Sequence, residues 1–455
     1  MHKSRIVILL LSVISFTSLR GQSVITELTL PGDNIESIQS FTSRENIYLF
    51  LNEADSVNKA YQIKPDGTHK QLTFDRIENT LLVGVKDYSD SSLFYYLLGK
   101  KQDIKLIAMT YNYTTGKSRW LEEEIKIDGQ VVGVSNDEMF SIIYYQRNPN
   151  QFKVIQLKGL EIENEKSFDL PMSLSIDYKY ITYIRDYTLP TIADGSAKYK
   201  LYKKDQQLIF SIDYTLVEST SVDPQTTVIT FDLQNGEQTL KSYPAKTNDF
   251  FRSFVRHNSL YRSAMSKNKF ELEILKISNG EILQKKELQR DTALKRTYVY
   301  LKDGKSQRIN KHETLYDMMK NSVSAEPSVI ALPTNDTCRT TIVWSTYYAN
   351  ENIINITAPT NINQDIGILR MAGTVKHGPK KPTSLRRYFY LSANCHHEFE
   401  TEGNVKSKRE TIDEYEIAQD KKKIFYTDRA CFNFQNNIIA LYFSEKQSKI
   451  TLVKF

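Results

Sequence analysis

Cysteine, tryptophan, proline and glycine are all scarce in this chain of 455 residues, at 3, 2, 12 and 17. The cysteines, Cys338, Cys395 and Cys431, lie in the last third of the chain. Three thiols allow at most one bridge, so the fold cannot rest on a disulfide framework and needs a packed core. Few glycines and prolines exclude collagen-like and low-complexity chains. No apolar run is long enough to cross a bilayer as a helix. Neither sign of charge dominates, with 60 Lys and Arg against 54 Asp and Glu. Bulk electrostatics therefore give no reason to expect a nucleic-acid partner. G-x-S-x-G, H-E-x-x-H, C-x-x-C, phosphate-loop and EF-hand patterns are also missing, so no catalytic residue and no cofactor is assigned.

What the chain has is aromatic and β-branched residues, with 28 Tyr and 21 Phe in an 11% aromatic composition. Such residues suit a pleated, half-buried surface. Short apolar runs are separated by tight turns, as in Asn46–Leu51, Ala60–Lys64, Pro65-Asp66-Gly67 and Gln71–Phe74. Intervals of 49, 43 and 44 residues separate Gly67 from Gly116, Gly116 from Gly159 and Gly236 from Gly280. A period of about 40–50 residues with several strands per repeat predicts an all-β β-propeller. The count expected is seven blades, with eight and six as alternatives. The stretch from Tyr178 to Asp213 parses either as one blade or as parts of two. The lone strand Val24–Leu30 and the two final strands, Ile438–Phe443 and Lys449–Phe455, are expected to complete one blade and close the ring.

Residues 1–21 read as a signal peptide. Lys3 and Arg5 precede the apolar Ile6–Phe16, and small and polar residues follow up to Gly21. Its removal would take the formal charge from +6 to +3, with Lys3, Arg5 and Arg20 leaving. Residues 22–455 are then a single propeller domain. Two interruptions are expected to be helical. One lies at about 291–333, where Asn310–Glu313 resembles a capping box and Leu315, Met318, Met319 and Val323 have helical spacing. The other, at about 407–420, follows the box Ser407–Glu410. Lys376, His377, Lys380, Lys381, Arg386 and Arg387 form a basic stretch in loop-like sequence. It reads as a solvated loop or as a contact for an anionic partner.

The candidate metal constellation is Cys395-His396-His397-Glu398, after the strand-like Arg387–Leu391. Along a strand, His396 and Glu398 would share one face, and Cys395 and His397 the other. Neither pair completes a site without further ligands, such as His312 or His377, so a polar strand end is the plainer reading. Trp344 with Tyr347-Tyr348, and Tyr111 with Tyr113, are candidate aromatic platforms for a carbohydrate or peptide.

The signal peptide ending in Gly21-Gln22, the strand-rich repeats and Asn436–Phe443 give the chain a resemblance to uncharacterised secreted propeller-like proteins of gliding-type Gram-negative bacteria. The resemblance implies export to the periplasm, cell surface or medium, and supplies no site residues. The functional expectation is a non-enzymatic binding or interaction module for a protein, peptide or carbohydrate. The alternative is a secreted hydrolase or lyase acting on carbohydrate or peptide, through carboxylates gathered from separate blades.

Overall fold

The computed structural model describes residues 22–30, 35–43, 45–53, 59–74, 80–100, 103–136, 139–171, 176, 178–184, 190, 192–214, 223–245, 250–265, 269–294, 297–300, 306–308, 313–316, 326–333, 340–347, 375–376, 386–393, 399–400, 408–422, 428–435 and 437–455. Among them are seven sheets of four to six strands, and a two-stranded one joining Ala293–Leu294 to Glu313–Thr314. We number the seven in ring order, each by one of its inner strands. These are Ile35–Thr42 (sheet I), Thr80–Asp87 (II), Gln130–Asn136 (III), Tyr199–Lys204 (IV), Phe250–Arg256 (V), Glu326–Pro333 (VI) and Asp428–Phe434 (VII). In sheet IV a parallel strand, Ile181–Ile184, is added inside Tyr199–Lys204.

Strand alternation explains why these sheets form a ring. In Asn437–Ser444 of sheet VII, Ile438, Ala440 and Tyr442 pack into the core shared with sheets IV, V and VI, while Ile439, Leu441 and Phe443 pack against sheet I. In Phe140–Gln146 of sheet III, Phe140, Ile142 and Tyr144 join the core of sheets I and II, while Ile143 and Tyr145 face sheet IV. A strand buried on both faces reads as a continuous apolar run, such as Ile-Ile-Ala-Leu-Tyr-Phe. The four cores link I to III, III to IV, IV to VII and VII back to I, so the circle of sheets is closed. The molecule is a β-propeller.

Closure is by the N-terminal strand. Ser23–Thr29 pairs antiparallel with Lys449–Lys454 and forms the outer edge of sheet VII. Its bulge lies between Val24 and Thr26. The carbonyl of Ile25 abuts the hairpin turn of sheet I, where a Cβ on Gly67 would come within 2.1 Å of that oxygen.

Sheet VI breaks the regular order. Its inner three strands are Glu326–Pro333, Thr340–Tyr347 and Arg386–Ala393, but the next strand out, Thr297–Tyr300, comes from earlier in the chain. Of the expected helical insertion at about 291–333, Leu315 and Tyr316 are helical, and Ala293–Leu294, Thr297–Tyr300, Ser306–Arg308, Glu313–Thr314 and Glu326–Pro333 are strands. The apolar Val329–Leu332 is buried in an inner strand. Met318, Met319 and Val323 lie outside the described residues.

Helix α2, Lys408–Lys421, follows the capping box in the second interruption. In the chain, α2 lies between the strands of sheet VI and the first strand of sheet VII, Asp428–Phe434. Its 14 residues span about 21 Å, close to the height of a seven-residue strand. Ile412 and Tyr415 of α2 pack into the core of sheets IV to VII, with Tyr415 5.6 Å from the Tyr442 ring and 5.5 Å from that of Phe455.

Candidate functional site

Strand direction sorts the connections into two ends of the ring. Turns from first to second and from third to fourth strand gather at one end, the hairpin end. They are short, as in Pro65–Gly67, Asp205-Gln206, Asn235-Gly236 and His257-Asn258. Connections at the opposite, loop end include those from Leu170 to Ile181 and from Tyr347 to Arg386, whereas the one from Ile184 to Tyr199 returns to the loop end from the hairpin side, because the two strands it joins are parallel. Long connections on a rigid ring are where recognition usually sits.

Sheet IV concentrates tyrosines at the loop end. Tyr178–Tyr180 forms a single 3-10 turn leading into Ile181–Ile184, Tyr199 opens the next strand, and Tyr214 closes the one after it. Tyr180 is 58% exposed, whereas Tyr178, Tyr183, Tyr199 and Tyr214 are half-buried against the core of sheets III and IV. Tyr178 lies 6.4 Å from the ring of Tyr145. The Tyr183 ring lies against the backbone of Gly133 in sheet III, where a Cβ would come within 2.7 Å of it. Lys198 holds its ammonium 5.5 Å from the Tyr199 ring and 5.7 Å from that of Tyr214, within cation–π range. Burial, with the neighbouring Tyr199, pushes the Tyr214 phenol up to about 12.

Helix α1, Ile192–Ser196, lies beside this patch and is clamped from three sheets. The Arg252 guanidinium donates to the Ser196 carbonyl at 2.8 Å, and the Lys200 ammonium donates to that of Ala197. Both cations thus meet the negative end of the helix. A Cβ on Gly195 would come within 2.5 Å of Ser328 Oγ, so only glycine allows the helix to lie directly on sheet VI.

Two carboxylates draw attention as catalytic candidates, and their bonding argues against that role. Asp213 accepts from Thr226 (2.9 Å), the Ser253 hydroxyl (2.7 Å), the Ser253 amide (2.9 Å) and Lys200 (3.3 Å). Asp87, toward the hairpin end, accepts from Tyr48 (2.5 Å), Asn46 (2.7 Å), Ser92 (2.9 Å), Tyr113 (3.1 Å) and Ser43. A carboxylate has about four lone-pair sites, so both are saturated by the protein itself. They join sheet IV to V and sheet I to II.

The residues singled out from sequence fare unevenly. Cys395, His396, His397 and Glu398, with His312 and His377, lie outside the described residues. Among the described residues no group of three or more His, Cys, Asp or Glu side chains is placed to hold a metal. Of the expected platforms, that of Tyr111 and Tyr113 is corrected, since Tyr111 is buried in the core and Tyr113 is tied to Asp87; Trp344 is likewise buried, and the side chain of Tyr347 lies outside the described residues. Tyr348 lies outside the described residues. The tyrosines of sheet IV went unrecognised, although the run Asp177-Tyr178-Lys179-Tyr180-Ile181-Thr182-Tyr183 carries a local density that marks them. Among the described residues, no helix is long and apolar enough to cross a membrane.

No protein-family model matches the chain, and no curated protein matches it. Among solved structures it is similar to the β-propeller domain of the Trilobed protease from Pyrococcus furiosus. That likeness has 7% identity and a TM-score of 0.39, over 93% of this chain and 94% of the other. It is similar to the Dos1 propeller at 7% identity and a TM-score of 0.34, over 95% of each chain. It is also similar to a subtype N10 neuraminidase-like protein of A/little yellow-shouldered bat/Guatemala/060/2010. There the identity is 9% and the TM-score 0.30, over 82% of this chain and 100% of that one.

Proposed function

We propose that the protein is an exported, non-enzymatic binding module, a ring of seven blades that holds a carbohydrate or peptide ligand at its loop end. The observation carrying this reading is the set of tyrosines of sheet IV, exposed Tyr180 and half-buried Tyr178, Tyr183, Tyr199 and Tyr214, with Lys198 within cation–π range of Tyr199 and Tyr214. Flat aromatic faces beside a cation give contact area at low entropic cost and a polar handle for orientation. The saturation of Asp87 and Asp213 favours binding over hydrolysis, because neither has a lone pair left to activate water. Export is supported by the basic and apolar sequence of residues 1–21.

The test is a glycan and peptide panel probed with the purified chain and with Tyr180→Ala. A ligand held without turnover, and about 3- to 10-fold more weakly by the variant, is expected from the loss of one stacking ring. Turnover of the bound ligand, or binding indifferent to Tyr180→Ala, would overturn the proposal.

A further inference from the structure

Away from the tyrosines, at the hairpin end, the inner hairpins of sheets IV and V bring cations together. Their turns are Asp205-Gln206 and His257-Asn258, and Asp205 and His257 hold the same first position, at φ +49° and +51°. That left-handed position accepts Asp and His alike, so the turn does not account for what His257 touches. The Lys204 ammonium lies 3.1 Å from His257 Nδ1. An ammonium can only donate, so Nδ1 accepts and the ring hydrogen sits on Nε2. Arg256 precedes His257 and donates to the Ala331 carbonyl of sheet VI at 3.2 Å. Lys203 donates to the Asp205 carbonyl at 3.0 Å. Burial, then the charges of Arg256 and Lys204, push the His257 imidazole below its ordinary value. Among the described residues neither Lys204 nor His257 forms an ion pair with a carboxylate, and Asp205 is the only acid in the two turns.

We infer that Lys204 and His257 form a binding site for a phosphate group, free or esterified, at the end of the ring opposite the proposed loop-end site. Lys204 keeps two N–H donors beyond the bond to His257, and His257 keeps one at Nε2. Once His257 takes a proton from solvent at Nδ1, it stops accepting from Lys204 and becomes a second cationic donor. A bound anion makes that protonation favourable, because it separates two charges that otherwise repel. A phosphate carries up to two charges and several acceptor oxygens, which suits two cations at one point with Arg256 beside them. A carboxylate brings one charge and two oxygens, so it is the weaker match. The site does not depend on the loop-end reading, and its failure would leave that reading untouched.

Histidine ring NMR of the purified chain tests the site, with the His257 signal identified by its loss in His257→Asn. Sodium phosphate and glycerol 3-phosphate are titrated in at constant ionic strength, with chloride as the reference. Saturable shifts of the His257 signal are expected with one or both, and the tighter ligand tells whether the group is taken free or as an ester. The His257 pKa should rise on binding, since the imidazolium then faces an anion. Lys204→Gln should weaken binding about tenfold through loss of one charge-assisted hydrogen bond, while Lys204→Arg, which keeps the charge, should retain most of it. Tyr180→Ala, at the far end of the ring, should bind phosphate as the parent chain does. A response no larger than that to chloride overturns the inference. So does undiminished binding by Lys204→Gln, or a His257 pKa that stays where it was when phosphate binds.

Discussion

Replacing Gly67 by alanine isolates the free energy of ring closure. Gly67 sits at φ +87° in the outer hairpin of sheet I, so any L-residue there takes a left-handed conformation at a penalty of about 1–2 kcal/mol. Gly159 and Gly236 sit in the equivalent turns of sheets III and IV at φ +67° and +79°. A Cβ on Gly159 meets nothing within 4 Å, and one on Gly236 meets only the end of Lys166, at 3.8 Å. At Gly67 the added carbon would lie 2.1 Å from the Ile25 carbonyl oxygen, in backbone that cannot turn aside. Contact needs about 3.5 Å, so Ser23–Thr29 must withdraw by more than 1 Å or so. That loosens the pairing of Ser23 and Val24 with Lys454 and Val453, at about 1 kcal/mol per hydrogen bond. Gly67→Ala should therefore destabilise by about 3–4 kcal/mol, against about 1–2 kcal/mol for Gly159→Ala and Gly236→Ala. Urea denaturation supplies the three values. Hydrogen exchange should show faster amides across Ser23–Thr29 in the first variant alone. If Gly67→Ala is no worse than the two controls, the turn does not bear on the closing strand and the reasoning is wrong.

Two further perturbations follow from buried polar groups. Asp213→Ala leaves the fully buried Lys200 ammonium without its carboxylate and should cost about 3–5 kcal/mol in urea denaturation. Adding Lys200→Met to it should recover part of that loss, and a single-variant effect below about 1 kcal/mol would show the pair to be dispensable. Burial pushes the phenols of Tyr144, Tyr214 and Tyr243 up to about 12, above the ordinary value of 10.0. The folded state therefore keeps protons that the unfolded state releases, so stability is intact below pH 10 and falls as pH rises from 10.0 to about 12. Ultraviolet titration should find these phenols ionising with unfolding rather than before it; ionisation near pH 10 in the folded protein would contradict the assigned burial.

Much of the fold was legible because a propeller repeats its demands. Each outer hairpin needs a left-handed residue, and Gly67, Gly116, Gly159, Gly236 and Gly280 all have positive φ. A second repeated device went unread. Leu82-Val83-Gly84-Val85 and Val131-Val132-Gly133-Val134 mark inner-strand bulges, where the missing Cβ admits Phe140 in one case and Tyr183 in the other. Sheet VI was not legible from spacing, because Thr297–Tyr300 supplies an outer strand before the inner strand exists in the chain. Sequence order and spatial order disagree there, and no periodicity reports that.

The site was harder to read, for a physical reason. Tyrosine suits both a buried strand and an exposed platform, so tyrosine content says nothing about exposure. Trp344 and Tyr111 stand in strands whose both faces are covered, whereas Tyr180 stands in a turn just before one. Which of these holds depends on strand direction and on which end of the ring a connection reaches. What did show in the sequence was the ambiguity of Tyr178–Asp213, which parses either as one blade or as parts of two. That stretch holds the parallel strand Ile181–Ile184, helix α1 and the clamp of Lys200, departures that a regular blade does not need. A repeat protein that breaks its own rule at one place must add packing and hydrogen bonds there to offset the break. Here Gly195, Arg252 and Asp213 supply them. The irregularity and the aromatic patch coincide at sheet IV, so local departure from the repeat is a better guide to the proposed binding surface than residue type.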